Sequence, residues 1–462
     1  MKKRFFVLIL GDIFSSLLAV CLGFILRFNK LPILDGFFVS ELTQKLHGYP
    51  FLSFFLFIFI VIFASFFVEL YNPEKNGGRK EKLLRVMMGN MLSFFILSAV
   101  YYMLPFAMFG RGVLILSLGA FCLLQLLWHV SYKEFLNSSK LMQRILILGT
   151  GKLAKLIGEV ITLKTLPYLL VGYVKCGDES MLVPPQYIVG NGDGLLSTAK
   201  KHRVNMIVVS MSERRGNFPL KDVLSCKLSG IKVVDALTFY EQGANKLLIE
   251  NTDPSWFIFG DGFRITTFLR IYKRAFDIIL SSIGLIITLP IIPLIATLLK
   301  ITTPGTIFFR QARVGVGEKD FVLYKFRTMQ NGAESDTGPV WAQVNDPRVT
   351  RFGKFLRKTR LDEIPQLYNV LKGDMSFIGP RPERPEFVKE LKEIIPYYSE
   401  RHFIKPGITG WAQVKYRYGS SVEDTIEKLK YDLFYIKHVS FFLELQIMLE
   451  TTRVVALGRG GR

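Results

Sequence analysis

Four apolar runs crowd the first 135 residues of this 462-residue chain, at about residues 5–26, 50–70, 84–104 and 113–132. Each approaches the roughly 20 residues that cross about 30 Å of hydrocarbon as a helix. Four such runs so close together predict a four-helix transmembrane bundle over residues 1–135 rather than buried helices of a soluble domain. The first run holds Asp12 and lacks a small-residue cleavage site, so it reads as a retained span rather than a signal peptide. Half of the residues are hydrophobic and 40 are Phe, as a membrane protein requires.

Charge orients the runs. Lys2, Lys3 and Arg4 precede the first. Lys75, Arg79, Lys80, Lys82 and Arg85 separate the second from the third, and Lys133, Lys140 and Arg144 follow the fourth. The other two loops are poorer, with Arg27, Lys30 and Lys45 in one and Arg111 in the other. By the positive-inside rule both ends of the bundle face the cytoplasm.

The character changes at Arg144-Ile145-Leu146-Ile147-Leu148-Gly149-Thr150-Gly151-Lys152, a short strand, a glycine turn and a helix start. Further strands are predicted near residues 169–174, 206–210 and 232–234. A Rossmann-like α/β domain over 142–245 follows, and 246–271 reads as a linker. The glycine turn alone is weak evidence for a nucleotide. Lys175 follows the second strand, while Asp178 and Glu179 lie further out, so no acid is well placed for a ribose.

Residues 275–299 form another apolar run, flanked by Lys273, Arg274 and Lys300 and interrupted by Pro290 and Pro293. Proline removes a backbone donor and bends a helix, and basic residues at both ends favour one face of the membrane. A re-entrant helix broken at Pro290 is predicted.

Basic residues then recur from Arg310 to Arg384, threaded through apolar ones: Arg313, Lys325, Arg327, Arg348, Arg357, Arg360 and Arg381 are among them. The net charge of the chain is +21. Interspersed cations suit a phosphate site, and no nucleic-acid signature accompanies them. The four cysteines, Cys21, Cys122, Cys176 and Cys226, have neither metal-ligand nor disulfide-framework spacing. Among the cations lies Arg360-Leu361-Asp362-Glu363-Ile364-Pro365. Leu356, Leu361, Ile364 and Leu367 recur at helical spacing, so a short amphipathic helix is expected, with the two carboxylates near its start. Ionised carboxylates there can bind Mg²⁺ or attack phosphorus. The proline-pinned segment Gly379-Pro380-Arg381-Pro382-Glu383-Arg384-Pro385 presents two arginines on a rigid loop, which suits recognition of a diphosphate. Residues 422–457 read as helical, with Phe441, Phe442, Leu445, Met448 and Leu449 on one side, for the membrane interface or for the catalytic core.

From about residue 272 onward the chain resembles the bacterial polyprenyl-phosphate sugar-1-phosphate transferases, the monotopic phosphoglycosyl transferases. The resemblance rests on Lys273-Arg274-Ala275-Phe276-Asp277, the Pro290 run, Tyr324-Lys325-Phe326-Arg327-Thr328-Met329, Leu361-Asp362-Glu363-Ile364-Pro365-Gln366, Asn369 to Pro382, and Lys405-Pro406-Gly407-Ile408-Thr409-Gly410-Trp411. The spans and α/β domain ahead of it resemble the large members, and the 458–462 end resembles exopolysaccharide members. The resemblance implies a catalytic domain over 272–462 and transfer of a sugar-1-phosphate from a UDP-sugar to undecaprenyl phosphate. UMP would leave, and Asp362, the matching nucleophile, would carry the phosphosugar. It implies Mg²⁺ held by Asp362 and Glu363, and phosphate contacts from Arg357, Lys325 and Arg381. It also implies a bacterial inner-membrane enzyme with its site on the cytoplasmic face, and a homodimer is among the expectations. Competing readings are a nucleotide-sugar-modifying enzyme built on the Rossmann-like domain, and a non-catalytic scaffold for polysaccharide assembly.

Overall fold

The computed structural model of the chain describes residues 2–28, 50–71, 79–108, 110–137, 142–163, 168–177, 179–211, 218–251, 262–330, 332–333, 346–416, 419 and 421–456. Lys30, Lys45, Lys75, Lys140, Asp178, residues 252–261 of the expected linker and the 458–462 end lie outside the described residues. The chain divides into two compact units, Met1–Phe239 and Tyr240–Arg462.

The first unit begins with four apolar helices, α1 (Lys2–Phe28), α2 (Pro50–Phe67), α3 (Arg79–Met103) and α4 (Arg111–Asn137). α1 packs along α4 and α2 along α3, and contacts of α1 with α2 and α3 with α4 complete the group. Glycine permits the closest approach: a Cβ at Gly11 would fall within the Trp128 ring, and one at Gly23 would meet Ser117. Among the described residues of this unit, three helical stretches are long and apolar enough to cross a membrane, Phe6–Arg27, Lys82–Met103 and Arg111–Tyr132. The second predicted run yields a shorter apolar helix, because the chain leaves the helix after Phe67 and Glu69 takes a positive φ. Asp12 is fully buried but paired. It accepts hydrogen bonds from Tyr71 Oη at 2.6 Å and Gln125 Nε2 at 2.7 Å, and His129 Nε2 lies 3.1 Å away. A buried carboxylate in an apolar group of helices needs such partners.

A five-stranded parallel sheet follows in the same unit, built from β1 (Gln143–Leu148), β2 (Tyr168–Lys175), β3 (Ile188–Asn191), β4 (Met206–Val209) and β5 (Lys232–Asp235) in the order β3-β2-β1-β4-β5. β1 and β4 are wholly apolar in their buried parts, as strands covered on both faces must be. Helices α5 (Lys152–Leu163), α6 (Leu195–Lys201) and α7 (Leu220–Leu228) intervene, and α8 (Ala236–Ala244) follows β5. The strand at Ile188–Asn191 has no apolar run and was not predicted.

The second unit carries the bent apolar pair. α9 (Thr267–Thr288) and α10 (Ile291–Thr302) meet at 59°, with the break at Leu289-Pro290. Most of their large apolar side chains are exposed, Ile279, Ile286, Ile287, Leu289 and Leu294 among them. The buried face of α10, Ile295 and Leu299, packs on Phe326, Leu356, Ile364 and Leu367. The polar part contains the antiparallel pair β6 (Phe308–Val314) and β7 (Asp320–Phe326), then α11 (Arg351–Thr359), α12 (Gln366–Lys372), β8 (Ser376–Ile378), α13 (Pro385–Ile394), β9 (Gly407–Thr409), α14 (Trp411–Lys415), α15 (Val422–Lys437) and α16 (Phe441–Ala456). Its core gathers Ile378, Trp411, Leu433, Tyr435, Leu443 and Ile447.

Within the 246–271 stretch expected as a linker, Leu247 and Ile249 are buried in this core, and Lys246 pairs with Glu427 at 2.7 Å. The helical tail consists of two helices, broken between His438 and Ser440. On α16 the buried face is Leu443, Glu444 and Ile447, while Phe441, Phe442 and Leu445 point outward.

Candidate active site

The two carboxylates do not stand at the start of one amphipathic helix. α11 ends because Arg360 adopts a left-handed conformation (φ 59°, ψ 14°), its N–H bonding back to the Arg357 carbonyl. Leu361–Glu363 then form a single 3-10 turn, and Pro365 caps α12. Such a positive φ is uncommon for a residue with a side chain. The reversal turns Asp362 and Glu363 inward, where they are 6% and 9% exposed. Ile364 and Leu367, next along the chain, pack on α10, so the bent apolar pair is the floor beneath the dyad.

Glu363 is the occupied carboxylate. Its Oε1 lies 3.0 Å from Arg381 Nη2, 3.3 Å from Lys325 Nζ and 3.4 Å from Arg360 Nη1. Burial disfavours its charge, but Arg381, Lys325 and Arg360 outweigh burial and hold the carboxyl below the ordinary glutamate range. Burial also pushes the Lys325 ammonium down, with Glu363 opposing. Lys325 reaches the dyad because Asn369 of α12 locks β7: Asn369 Oδ1 accepts from Tyr324 N at 3.1 Å, and its Nδ2 donates to Val322 O at 2.7 Å.

Asp362 is the available one. Its Oδ1 is buried and has no hydrogen-bond partner among the described residues. Burial raises its carboxyl, and Lys325 chiefly opposes that rise, helped by Arg357 and Arg360. A buried acceptor without a donor is costly and marks the oxygen that an incoming cation or electrophile can use.

Among the expected residues, the structure brings Asp362, Glu363, Lys325 and Arg381 together. Arg357 stands on α11 near Asp362, and its Nε donates to Thr328 Oγ1 at 2.9 Å. Pro290 lies at the break of the helix pair under the site. Several other basic residues serve the backbone rather than the dyad. Arg327 donates to the carbonyls of Thr303 and Pro304, Arg313 to that of Pro382, and Arg274 to those of Val370 and Leu371, all at 2.8–2.9 Å. Arg348 pairs with Asp346. Strand β8, which leads into the Pro-Arg-Pro loop, is pinned from α9: Asp277 Oδ1 accepts from Ser376 Oγ at 2.9 Å and Phe377 N at 2.7 Å. Sequence reasoning had not assigned Asp277 a task, although an acid in an apolar stretch was a visible signal.

Among the described residues no group of three or more His, Cys, Asp or Glu side chains could hold a metal ion. The dyad suits a hard cation that keeps waters and takes substrate phosphates as its remaining ligands, as Mg²⁺ does, and the unpartnered Asp362 Oδ1 is the ligand atom such a cation requires.

The glycine turn of the first unit is filled by the chain itself. Glu179 accepts the Thr150 N–H at 2.9 Å and occupies the space beside Gly149 and Gly151.

Residues 268–458 match the family model described as bacterial sugar transferase. The chain is 46% identical over 190 residues to the UDP-N-acetylgalactosamine-undecaprenyl-phosphate N-acetylgalactosaminephosphotransferase of Aeromonas hydrophila, covering 41% of this chain and 45% of that protein. It is 43% identical over 189 residues to the UDP-glucose:undecaprenyl-phosphate glucose-1-phosphate transferase of Xanthomonas campestris pv. campestris, covering 40% and 39%. With the exopolysaccharide production protein PSS of Rhizobium leguminosarum bv. phaseoli it shares 36% identity over 195 residues, which is 41% of this chain and 97% of that shorter protein. The chain thus spans less than half the length of the first two relatives, and nearly all of the third.

Proposed function

The chain belongs to the bacterial sugar transferase family, and on that footing we propose that it transfers a sugar-1-phosphate from a UDP-sugar to undecaprenyl phosphate, opening the assembly of an exopolysaccharide or O-antigen unit. The observation that carries this reading is the unequal dyad: one buried carboxylate held by three cations beside another with an unpartnered oxygen. The named relatives act with undecaprenyl phosphate and UDP-N-acetylgalactosamine or UDP-glucose, the donor and acceptor classes proposed here.

The reaction runs in two displacements. A carboxylate oxygen of Asp362 attacks the sugar-bearing β-phosphorus. The bond from that phosphorus to the bridging oxygen breaks, and UMP leaves with the electron pair. A phosphate oxygen of undecaprenyl phosphate then attacks the same phosphorus, the aspartyl–phosphorus bond breaks, and Asp362 returns as carboxylate. Covalent transfer lets one site serve a soluble donor and a lipid acceptor in turn. Burial favours the attack, because a desolvated carboxylate gives up little hydration on bonding. Glu363 keeps Arg381, Lys325 and Arg360 gathered where phosphate charge must be neutralised, and Arg357 extends that cationic wall. Bound Mg²⁺ would neutralise the donor diphosphate, with Asp362 and Glu363 as the carboxylates that hold it.

The bent pair α9–α10 is proposed as a re-entrant element over about 275–299, and α1–α4 as a transmembrane bundle with its basic ends inside. The dyad then faces the cytoplasm of a bacterial inner membrane. Single cysteines at Thr267 and Gly305, in a background free of native cysteines, are expected to label only after the membrane is opened. Labelling of Gly305→Cys from outside contradicts re-entry. The parallel sheet, Rossmann-like in strand order, is proposed to be structural, since Glu179 already fills its anion-binding turn. Saturable NAD binding by the purified protein would overturn that.

Purified protein with undecaprenyl phosphate and a panel of UDP-sugars is expected to release UMP and form a lipid-linked product, both lost on chelation of Mg²⁺. Absence of UMP with every donor refutes the proposed activity.

A further inference from the structure

The loop from Ile378 to Glu383 brings Arg381 to Glu363, and it cannot hold itself together. Pro380 and Pro382 lack amide hydrogens, so the loop's carbonyls need donors from elsewhere. Ile378 O accepts from Lys273 Nζ at 2.8 Å, Pro380 O from Gly407 N at 2.8 Å, Pro382 O from Arg313 Nη1 at 2.9 Å and Glu383 O from Val314 N at 3.0 Å. The carbonyl of Arg381 itself accepts from Arg401 Nη2 at 3.0 Å.

Arg401 is fixed on its other sides. Its Nη1 donates to Tyr398 Oη at 2.6 Å, and its Nη2 to Asp432 Oδ2 of α15 at 2.9 Å. Arg401, Tyr398 and Asp432 are 6%, 1% and 2% exposed. A planar guanidinium can meet three acceptors at fixed angles, which an ammonium on a flexible stem cannot. Arg401 touches neither carboxylate of the dyad and lies outside every motif read from the sequence. Among the described residues it hydrogen-bonds to the site through the backbone of the residue whose side chain binds Glu363.

We propose that Arg401, oriented by Asp432 and Tyr398, is a positioning residue for Arg381: it clamps the Arg381 carbonyl so that the Arg381 guanidinium meets Glu363 and the donor phosphate. The kinetic part of this proposal rests on the transferase reading; the structural part does not. The competing explanation is a buried ion pair that only stabilises the packing of α15.

A double-mutant cycle separates the two. A displacement of about 1 Å in a catalytic group costs about a hundredfold in rate. Arg401→Lys is therefore expected to lower kcat for UMP release by about 10- to 100-fold, with KM for the UDP-sugar changed by less than about threefold. Arg381→Lys lowers kcat too. If Arg401 acts through Arg381, the double variant loses no more than about twofold beyond Arg381→Lys alone. Multiplicative losses, in variants that melt as cooperatively as wild type, overturn the proposal. Should Arg401→Lys fail to fold, Tyr398→Phe removes only the hydroxyl that accepts from Nη1, and the same non-additivity with Arg381→Lys is required. Amide hydrogen exchange supplies an arm without turnover. The Gly407 and Val314 amides, which donate to the Pro380 and Glu383 carbonyls of the loop, are expected to exchange faster in the Arg401→Lys or Tyr398→Phe variant, with α15 unchanged. Unaltered exchange there overturns the proposal whatever the protein transfers. Faster exchange in a protein that turns over no UDP-sugar refutes the transferase reading and leaves the clamp standing.

Discussion

Replacing Asp362 by asparagine is expected to lower UMP release by at least about 10⁴-fold, as losing a nucleophile does in other covalent enzymes. The exchange is nearly isosteric, and Oδ1 of Asp362 has no hydrogen-bond partner to lose among the described residues. What disappears is an oxygen able to bond phosphorus, along with the charge beside Lys325, Arg357 and Arg360. The thermal midpoint should therefore stay near wild type while turnover vanishes. Steady-state UMP release by freshly purified protein, beside a melting curve, makes the measurement. Turnover within about tenfold of wild type removes Asp362 from the role of nucleophile.

The second large effect is on stability. Glu363→Ala removes the one oxygen that Arg381, Lys325 and Arg360 share at 3.0, 3.3 and 3.4 Å. Three cations would then face one another without the acceptor they share. Breaking a buried pair typically costs 3–5 kcal/mol, and the side chains of Arg381, Arg360 and Lys325 retain 32%, 30% and 20% exposure, so about 3 kcal/mol is expected. For a unit of this size that lowers Tm by roughly 6–12 °C, readable by thermal unfolding in detergent. Glu363→Gln keeps an acceptor oxygen and should lose less. The sign with pH follows from the direction of the shift. The folded-state carboxyl lies below its unfolded value of 4.5, so this contribution is complete above that pH and is lost as the pH falls through the lower folded value. A Tm change of under about 2 °C in Glu363→Ala would mean that solvent already screens the cluster.

Much of this arrangement could be read before any coordinates. The apolar runs, the break at Pro290 and the order of the motifs are local properties of the chain, and composition exposes them. The site was legible as residue types: Asp362, Glu363, Lys325 and Arg381 do converge. Its shape was not. The leucine periodicity from Leu356 to Leu367 pointed to one helix, but Arg360 in a left-handed conformation divides it, and helical spacing carries no trace of a reversal. The basic residues were read as a phosphate field. Arg313 and Arg327 instead hold backbone carbonyls, those of Pro382 and of Thr303 and Pro304, which a count of charges along the sequence cannot foretell. Arg401 and Asp277 act across long stretches of sequence, and pairing of that kind has no local signature. Glu179 was weighed as a ribose ligand and found too far along the chain. It occupies the glycine turn itself, a fit visible only once the loop after β2 is folded back.

The central claim is that Asp362 carries the phosphosugar. Incubating the purified protein with a UDP-sugar and Mg²⁺, without the lipid acceptor, and recording the mass of its peptides tests this directly. The account predicts one added phosphosugar on the peptide containing Asp362, formed together with UMP, absent from Asp362→Asn and discharged when undecaprenyl phosphate is added. UMP and lipid-linked product formed in full with no adduct on that peptide, or an adduct that undecaprenyl phosphate does not discharge, would contradict it.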